Sequence, residues 1–248
     1  MNSSIAHFRF YEELNDFLPT DKKKRLFPYS FSGTPSIKDA IEALGVPHTE
    51  VDLILVNGNS VDFTYRLRHD DRVSVYPMFE RLDISPVVRL RAEPLRCTAF
   101  ILDAQLGKLA KLLRMLGFDT LYRNDYTESE VIRIALEEER IVLTRNTALL
   151  KNKSVTHGIW IRSTVPEEQI KEVICRCDLI SQITPFQRCL VCNGAISPVH
   201  KEKIAHHLPP NTAALYNEFY QCNCGRIYWK GSHYDKMKSR IARWIQES

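Results

Sequence analysis

The chain has 248 residues, of which 44% are apolar or aromatic and 26% charged, with 9 glycines and 12 prolines. That length suits one large domain or two ordinary ones, and the balance excludes a collagen-like, low-complexity or wholly disordered chain. The net charge of +4 is mild but uneven: residues 1–95 carry 12 Lys/Arg against 14 Asp/Glu, residues 96–185 carry 13 against 12, and residues 186–248 carry 9 against 4.

Residues 5–77 read as a small α/β unit. A strand begins at His7 and runs toward Leu14, with Phe8 and Phe10 on one face. Ser36-Ile37-Lys38-Asp39 has the form of a capping box with Asp in place of Glu. The helix behind it runs to Leu44, with Ile37, Ala40, Ile41 and Leu44 on one side and Gly45 where a helix commonly ends. Leu53–Val56 is an apolar strand, Asn57-Gly58 a hairpin signal, and Val73 and Val75 alternate in a last strand that stops at Pro77. This order, with His69–Arg72 before the last strand, resembles the β-grasp fold of ubiquitin and the small sulfur carriers. Sulfur carriers end in a free Gly-Gly, whereas here the strand runs into Pro77-Met78-Phe79-Glu80, so carrier chemistry has no handle. The unit is read as a binding or regulatory module with a protein partner. Residues 79–97, with Pro86 and Pro94, read as a linker holding one extended segment at Val87–Leu90.

From Thr98 strands and helices alternate. Ala99–Leu102 is a buried strand ending at Asp103, and Leu106, Leu109, Ala110, Leu113 and Leu116 recur at helical spacing, with Lys108, Lys111 and Arg114 on the opposite side. Gly117 ends that helix. Thr120–Tyr122 is a second strand, Glu128–Glu138 a second helix, Ile141–Thr144 a third strand and Gly158–Arg162 a fourth. Pro166–Ile180 is a helix with Ile170, Val173, Ile174 and Cys177 inward. Such alternation predicts a largely parallel sheet.

In open parallel sheets, sites form beyond the carboxyl ends of the strands. Asp103 follows the first strand, Asp125 and Glu128 follow the second, and Thr144-Arg145-Asn146 follows the third. Asp103, Asp125 and Glu128 are therefore expected to converge on one sheet edge, where carboxylates suit Mg²⁺ or Mn²⁺. Each residue also has a plainer reading. Asp103 suits an N-cap, Glu128 a helix N-terminus and Asp125 a turn.

Three segments, FILDAQLGKLAKLLRMLGFDTLYRND, LTRNTALLKNKSVTHG and YWKGSHYDKM, together resemble the PIN-like ribonuclease domain named for the C-terminal part of the Mut-seven exonuclease. The resemblance covers about residues 99–238, and several members carry a ubiquitin-like domain in front. It implies a three-layer α/β nuclease with clustered acidic residues that bind Mg²⁺ or Mn²⁺. The first acidic position matches Asp103 and the helical one Glu128. The third lies in a Thr-Arg-Asp motif and is Asn146 here, which supplies a carbonyl oxygen but no charge.

Cys189-x-x-Cys192 and Cys222-x-Cys224, each trailed by a glycine, read as a zinc ribbon with four thiolates around a structural Zn²⁺. Related ribbons have two residues between the second pair, so the loop must be tighter, with His233 as reserve ligand and His206 and His207 behind it. Cys175 and Cys177 point about 200° apart on a helix and cannot readily share one metal, and Cys97 stands alone; none of the three is given a role.

The last quarter interleaves cations with aromatics. Arg226, Lys230, Lys236, Lys238, Arg240 and Arg243 alternate with Tyr228, Trp229, Tyr234 and Trp244. Cations neutralise phosphates and aromatic faces stack unpaired bases, so RNA is the expected partner. Lys108, Arg114, Arg145, Arg188, Arg226, Trp229, Lys230 and His233 are its candidate contacts. No apolar run approaches the ~20 residues of a membrane span. No basic stretch followed by an apolar one opens the chain, and the 7 cysteines are clustered. A cytoplasmic protein with no membrane partner follows. The sequence thus predicts a β-grasp domain over 1–78, a linker over 79–97, a PIN-like domain over 98–184 and a zinc ribbon with a basic tail over 185–248. The function expected is metal-dependent RNA cleavage. The alternatives are an RNA-binding protein that does not cut, because of Asn146, and a β-grasp interaction adaptor.

Overall fold

The computed structural model describes residues 3–77 and 98–247. The N-terminal elements are β1 (Ser4–Phe10), β2 (Phe27–Phe31), α1 (Ile37–Ala43), β3 (Val51–Val56), β4 (Asn59–Val61) and β5 (Arg72–Pro77). Then follow β6 (Ala99–Leu102), α2 (Gly107–Leu116), β7 (Asp119–Leu121), α3 (Glu128–Glu137), β8 (Ile141–Thr144), α4 (Thr147–Leu150), β9 (Gly158–Trp160) and α5 (Pro166–Arg176). The last are β10 (Ile196–Val199), α6 (Lys201–Ile204), α7 (Pro210–Leu215), β11 (Phe219–Cys222), β12 (Ile227–Trp229) and α8 (Ser232–Glu247). The linker expected over 79–97, its segment Val87–Leu90 and Cys97 lie outside the described residues.

Two compact units are formed. The first joins the N-terminal segment to Ile132–Trp160, and the second joins Thr98–Val131 to the chain from Ile161 on.

In the first unit a five-stranded sheet runs in the order β2-β1-β5-β3-β4. Its centre is the parallel pair β1–β5, and β2, β3 and β4 add antiparallel. This is the β-grasp arrangement. Alternation sends Phe8, Phe10, Val73 and Val75 to one face, where they are buried against Ile37, Ala40 and Ile41 of α1. The capping box forms as expected: Ser36 Oγ accepts the Asp39 N–H at 3.1 Å and donates to its carboxylate at 2.7 Å. Asn57 (φ 52°) and Gly58 (φ 86°) take the left-handed turn that a two-residue hairpin requires. The first strand differs from expectation. It begins at Ser4 and stops at Phe10, and Glu12–Phe17 winds into a 3-10 turn.

The same unit holds the parallel pair β8–β9, and the N-terminal segment is fastened to it. The buried Glu50 carboxylate accepts the Trp160 N–H at 2.6 Å, and Phe17 lies against the Trp160 ring at 4.8 Å. His48 Nε2 donates to the Val155 carbonyl at 2.9 Å, and Nδ1 sits 2.6 Å from Glu42. Burial, helped by the Lys38 charge, pulls the His48 imidazole below its ordinary 6.5, against the opposing pull of Glu42 and the Val155 carbonyl. The unfolded chain therefore takes up the extra proton first as pH falls. Stability is expected to drop as pH falls below about 6.5. Melting curves of the chain and of His48→Gln between about pH 7.5 and 5.5 check this, with the variant showing the flatter dependence.

In the second unit β6 and β7 run parallel, joined by α2, whose Leu109, Ala110, Leu113 and Leu116 are buried. Gly117 stops α2 at φ 101°; a Cβ there would sit 2.1 Å from the Thr184 carbonyl oxygen, so only glycine fits. α5 buries Ile170, Val173 and Ile174 but ends at Arg176, short of Ile180, and Cys177 is a half-buried cap residue rather than interior. Ile241 and Trp244 of α8 are buried, and the Trp244 ring N–H and the Arg240 guanidinium both donate to Glu167 at the start of α5. β10, β11 and β12 form an antiparallel sheet with a small core of Ile204, Leu208 and Phe219. Among the described residues, no helix is long and apolar enough to cross a membrane.

Candidate functional site

Because β6 and β7 are parallel neighbours, the loops that leave them start from the same edge. Asp103 follows β6 in extended conformation, and its Oδ1 accepts the Gln105 N–H at 3.0 Å, capping a 3-10 turn over Ala104–Leu106. The loop after β7 is tied to that turn, since the Tyr122 hydroxyl donates to the Ala104 carbonyl at 3.1 Å. Gly107 permits the approach; a Cβ there would lie 2.5 Å from the Tyr122 hydroxyl. α3 opens on a reciprocal box in which Thr127 Oγ1 accepts the Glu130 N–H at 3.3 Å and Glu130 accepts the Thr127 N–H at 2.8 Å. Glu128 thereby stands exposed in the first turn.

Asp125 departs from expectation. Arg123 grips it with two hydrogen bonds of 2.9 and 2.6 Å on the exposed surface and holds its carboxyl below the ordinary range. Its charge is already balanced. Among the described residues no three acidic groups gather closely enough to close on one ion. Asn146, in the first unit, opens α4: its Oδ1 accepts the Ala148 N–H at 3.0 Å and its N–H donates to Thr144 Oγ1 at 2.8 Å. Arg145 beside it is half-buried.

The cysteines do converge. The sulfurs of Cys189, Cys192, Cys222 and Cys224 lie within 4.8 Å of one another, with Cys192–Cys222 at 3.3 Å and Cys189–Cys224 at 3.6 Å. Four thiolates at about 2.3 Å from a tetrahedral ion stand under 4 Å apart, so the set fits zinc. The short Cys222-x-Cys224 loop closes because Gly225 takes φ 88° and its N–H returns to the Cys222 carbonyl at 2.8 Å. On the other side Asn193 (φ 69°) turns the chain back, and its N–H reaches the Cys189 carbonyl at 3.0 Å. Burial pushes the Cys189 thiol up, but the hydroxyl of Tyr228 at 3.1 Å and the backbone N–H groups of Cys192 and Val191 outweigh it and hold it at about 6. His233 is exposed and stands outside the cluster.

Arg114 requires a correction. It is not an RNA contact on a solvated helix face but 3% exposed, with its guanidinium spent inside the second unit. Nε donates to the Thr120 carbonyl at 2.9 Å, and Nη1 reaches the carbonyls of Leu190 and Val191, inside the first cysteine loop, at 3.2 and 2.8 Å. Arg188 is likewise engaged, with Asp119 at 3.1 Å and the Asn193 carbonyl at 3.0 Å. Asn193 completes the seam: its Oδ1 accepts the Thr120 N–H at 2.9 Å and its amide donates to Asp119 at 2.8 Å. A buried donor lost from three carbonyls leaves them unsatisfied, so Arg114→Leu is expected to cost about 2–4 kcal/mol. A thermal melt, followed together with the release of zinc to a colorimetric chelator, measures it.

Lys108 and Arg226 are exposed. Lys230 pairs with the exposed Glu218 at 2.9 Å and lies 5.9 Å over the Tyr220 ring. Trp229 is half-buried against Phe219, 6.5 Å centre to centre.

Comparison with known families gives two matches. The model of the Mut7-C RNAse domain matches residues 98–241, and that of the Mut7-C ubiquitin domain matches residues 3–83. No curated protein and no solved structure matches the chain.

Proposed function

Because the chain belongs to the Mut7-C RNase domain family, with its ubiquitin-like domain in front, we propose that it is a metal-dependent ribonuclease. The observation that carries this reading is the family match itself, joined to Asp103 after β6 and Glu128 in the first turn of α3, which follows the tethered loop from β7. Two carboxylates, with waters and a substrate phosphate, are a sufficient donor set for Mg²⁺ or Mn²⁺. When bound, such an ion supplies Lewis-acid polarisation of the phosphodiester and activation of water. Asp103 and Glu128 would hold it. Lys108 and Arg145 are the cations we assign to phosphate charge, and Asn146 offers a neutral oxygen only. Asp125, matched by Arg123, has no part in the set.

Zinc in the four-thiolate centre is structural, because such a shell leaves no open position. The exposed Arg226 and Lys230, with Trp229 beside them, are the ribbon's contacts to RNA. A reduced, cytoplasmic setting suits free thiolates. The β-grasp domain over 1–78, the PIN-like domain over 98–184 and the ribbon over 185–248 remain the division we favour for function.

The test is cleavage of labelled single-stranded and structured RNA by the whole chain, with Mg²⁺, with Mn²⁺ and with neither added. Cleavage that needs the ion supports the reading. RNA bound but uncut supports the binding protein that Asn146 suggests, and neither result leaves the interaction adaptor. Asn146→Asp restores a charge where ligand charge sets affinity. It is expected to lower the Mg²⁺ concentration at half-maximal cleavage about tenfold; an unchanged titration would remove Asn146 from the ion's surroundings.

A further inference from the structure

The main core of the β-grasp sheet lies on the face that packs on α1, and Leu53, in register with Tyr76, is buried on the opposite one. On that opposite face, alternation places His7 and Arg9 of β1 and Arg72, Ser74 and Tyr76 of β5, with His7 paired to Arg72 and Arg9 to Ser74. Tyr11 prolongs β1, its N–H bonded to the Val75 carbonyl at 3.0 Å, and its ring stacks on Tyr76 with centres 4.3 Å apart and planes 11° from parallel. The Arg9 guanidinium lies 5.0 Å from the centre of the Tyr11 ring. Arg9 and Arg72 are exposed, and among the described residues no carboxylate pairs with either.

This face is unlike the unit around it. Residues 1–95 carry a net −2, yet among the described residues of the five strands Asp52 is the one acidic side chain. Nor is it an apolar docking patch, since Ile5, at 36%, is the one exposed large aliphatic in those strands. Parallel aromatic faces flanked by unpaired guanidinium groups on an open sheet are complementary to unstacked bases joined by phosphates.

We infer that the outer face of the β-grasp sheet binds single-stranded RNA, with bases on the Tyr11–Tyr76 stack and phosphates at Arg9 and Arg72. The inference rests on RNA being the chain's substrate and adds a second contact surface for it. A charged protein partner is the competing occupant, but it makes no use of stacked rings.

The experiment uses the whole chain and a single-stranded RNA decamer carrying 4-thiouridine, with no divalent ion added so that cleavage plays no part. Photocrosslinks are expected on the peptides that contain Tyr11 or Tyr76. Arg9→Gln with Arg72→Gln, both on the surface, is expected to reduce the slope of log affinity against log salt by about 1.4, at ~0.7 per phosphate. Tyr11→Leu with Tyr76→Leu is expected to weaken binding about tenfold. Crosslinks confined to residues 186–247, with an unchanged salt slope, would overturn the inference, leave the ribonuclease reading intact and return the face to a protein partner. No crosslink anywhere would overturn both.

Discussion

Asp103→Asn is expected to lower RNA cleavage at least ~100-fold, the scale of removing even one neutral hydrogen-bond donor from a preorganised site, while the fold stays as it was. The separation is built into the residue's two duties. As a cap, Asp103 needs only an oxygen that accepts the Gln105 N–H, and Asn caps a helical turn as well as Asp does. As a ligand it needs a negative charge, which Asn lacks. An unchanged melting temperature with lost cleavage therefore assigns the loss to chemistry. Cleavage within about fivefold of the parent would take the reaction away from the β6 edge.

The second large effect concerns the thiolate centre. Cys222→Ser is expected to weaken zinc binding by more than about 100-fold, since altering partners that only orient a ligand already costs 10–100-fold. Cys222 is buried at the end of β11, and its sulfur lies 3.3 Å from that of Cys192. Without the ion, β10–β12 keep a core of only three buried residues, Ile204, Leu208 and Phe219, too few to hold a sheet. Protease sensitivity should appear first between about residues 186 and 230, and metal analysis should fall from one zinc per chain to below one tenth. A variant that stays protease-resistant and zinc-loaded would show that three thiolates suffice.

Much of this arrangement is legible in the amino-acid sequence. The alternation of Phe8 and Phe10, the Ser36 box, Asn57-Gly58 and the stop at Gly117 are local signals, and each forms where its pattern stands. The spacing of the cysteines foretells their meeting, and it also points to the tight loop that Gly225 allows. β2 escapes such reading because Pro28 interrupts its run, which an edge strand tolerates. Arg114 misleads for a different reason. Its helical phase matches that of Lys108 and Lys111, and what buries it arrives 76 and 77 residues later. Periodicity reports which face of a helix is polar and nothing about what will land on it. The capture of Asp125 by Arg123 involves a neighbour only two residues away, so the opposite charges side by side are a signal that carboxylate clustering alone ignores. The Tyr122 tether and the Asn193 seam have no signature in a single sequence, because each depends on two elements already being in place.

The fastening of the N-terminal segment to β9 has a consequence for how the chain is made. Glu50 and Trp160 are 110 residues apart, and His48 and Val155 are 107 apart. At roughly 5–20 residues per second of translation, Glu50 waits on the order of 5–20 s for Trp160 to be polymerised. During that interval the sheet and α1 can assemble from contacts made within residues 3–77, but a carboxylate destined for burial lacks its Trp160 N–H. The nascent protein thus passes through a stage in which its first domain is formed and its last fastening is still inside the ribosome. A chain cut after residue 97 would remain at that stage permanently.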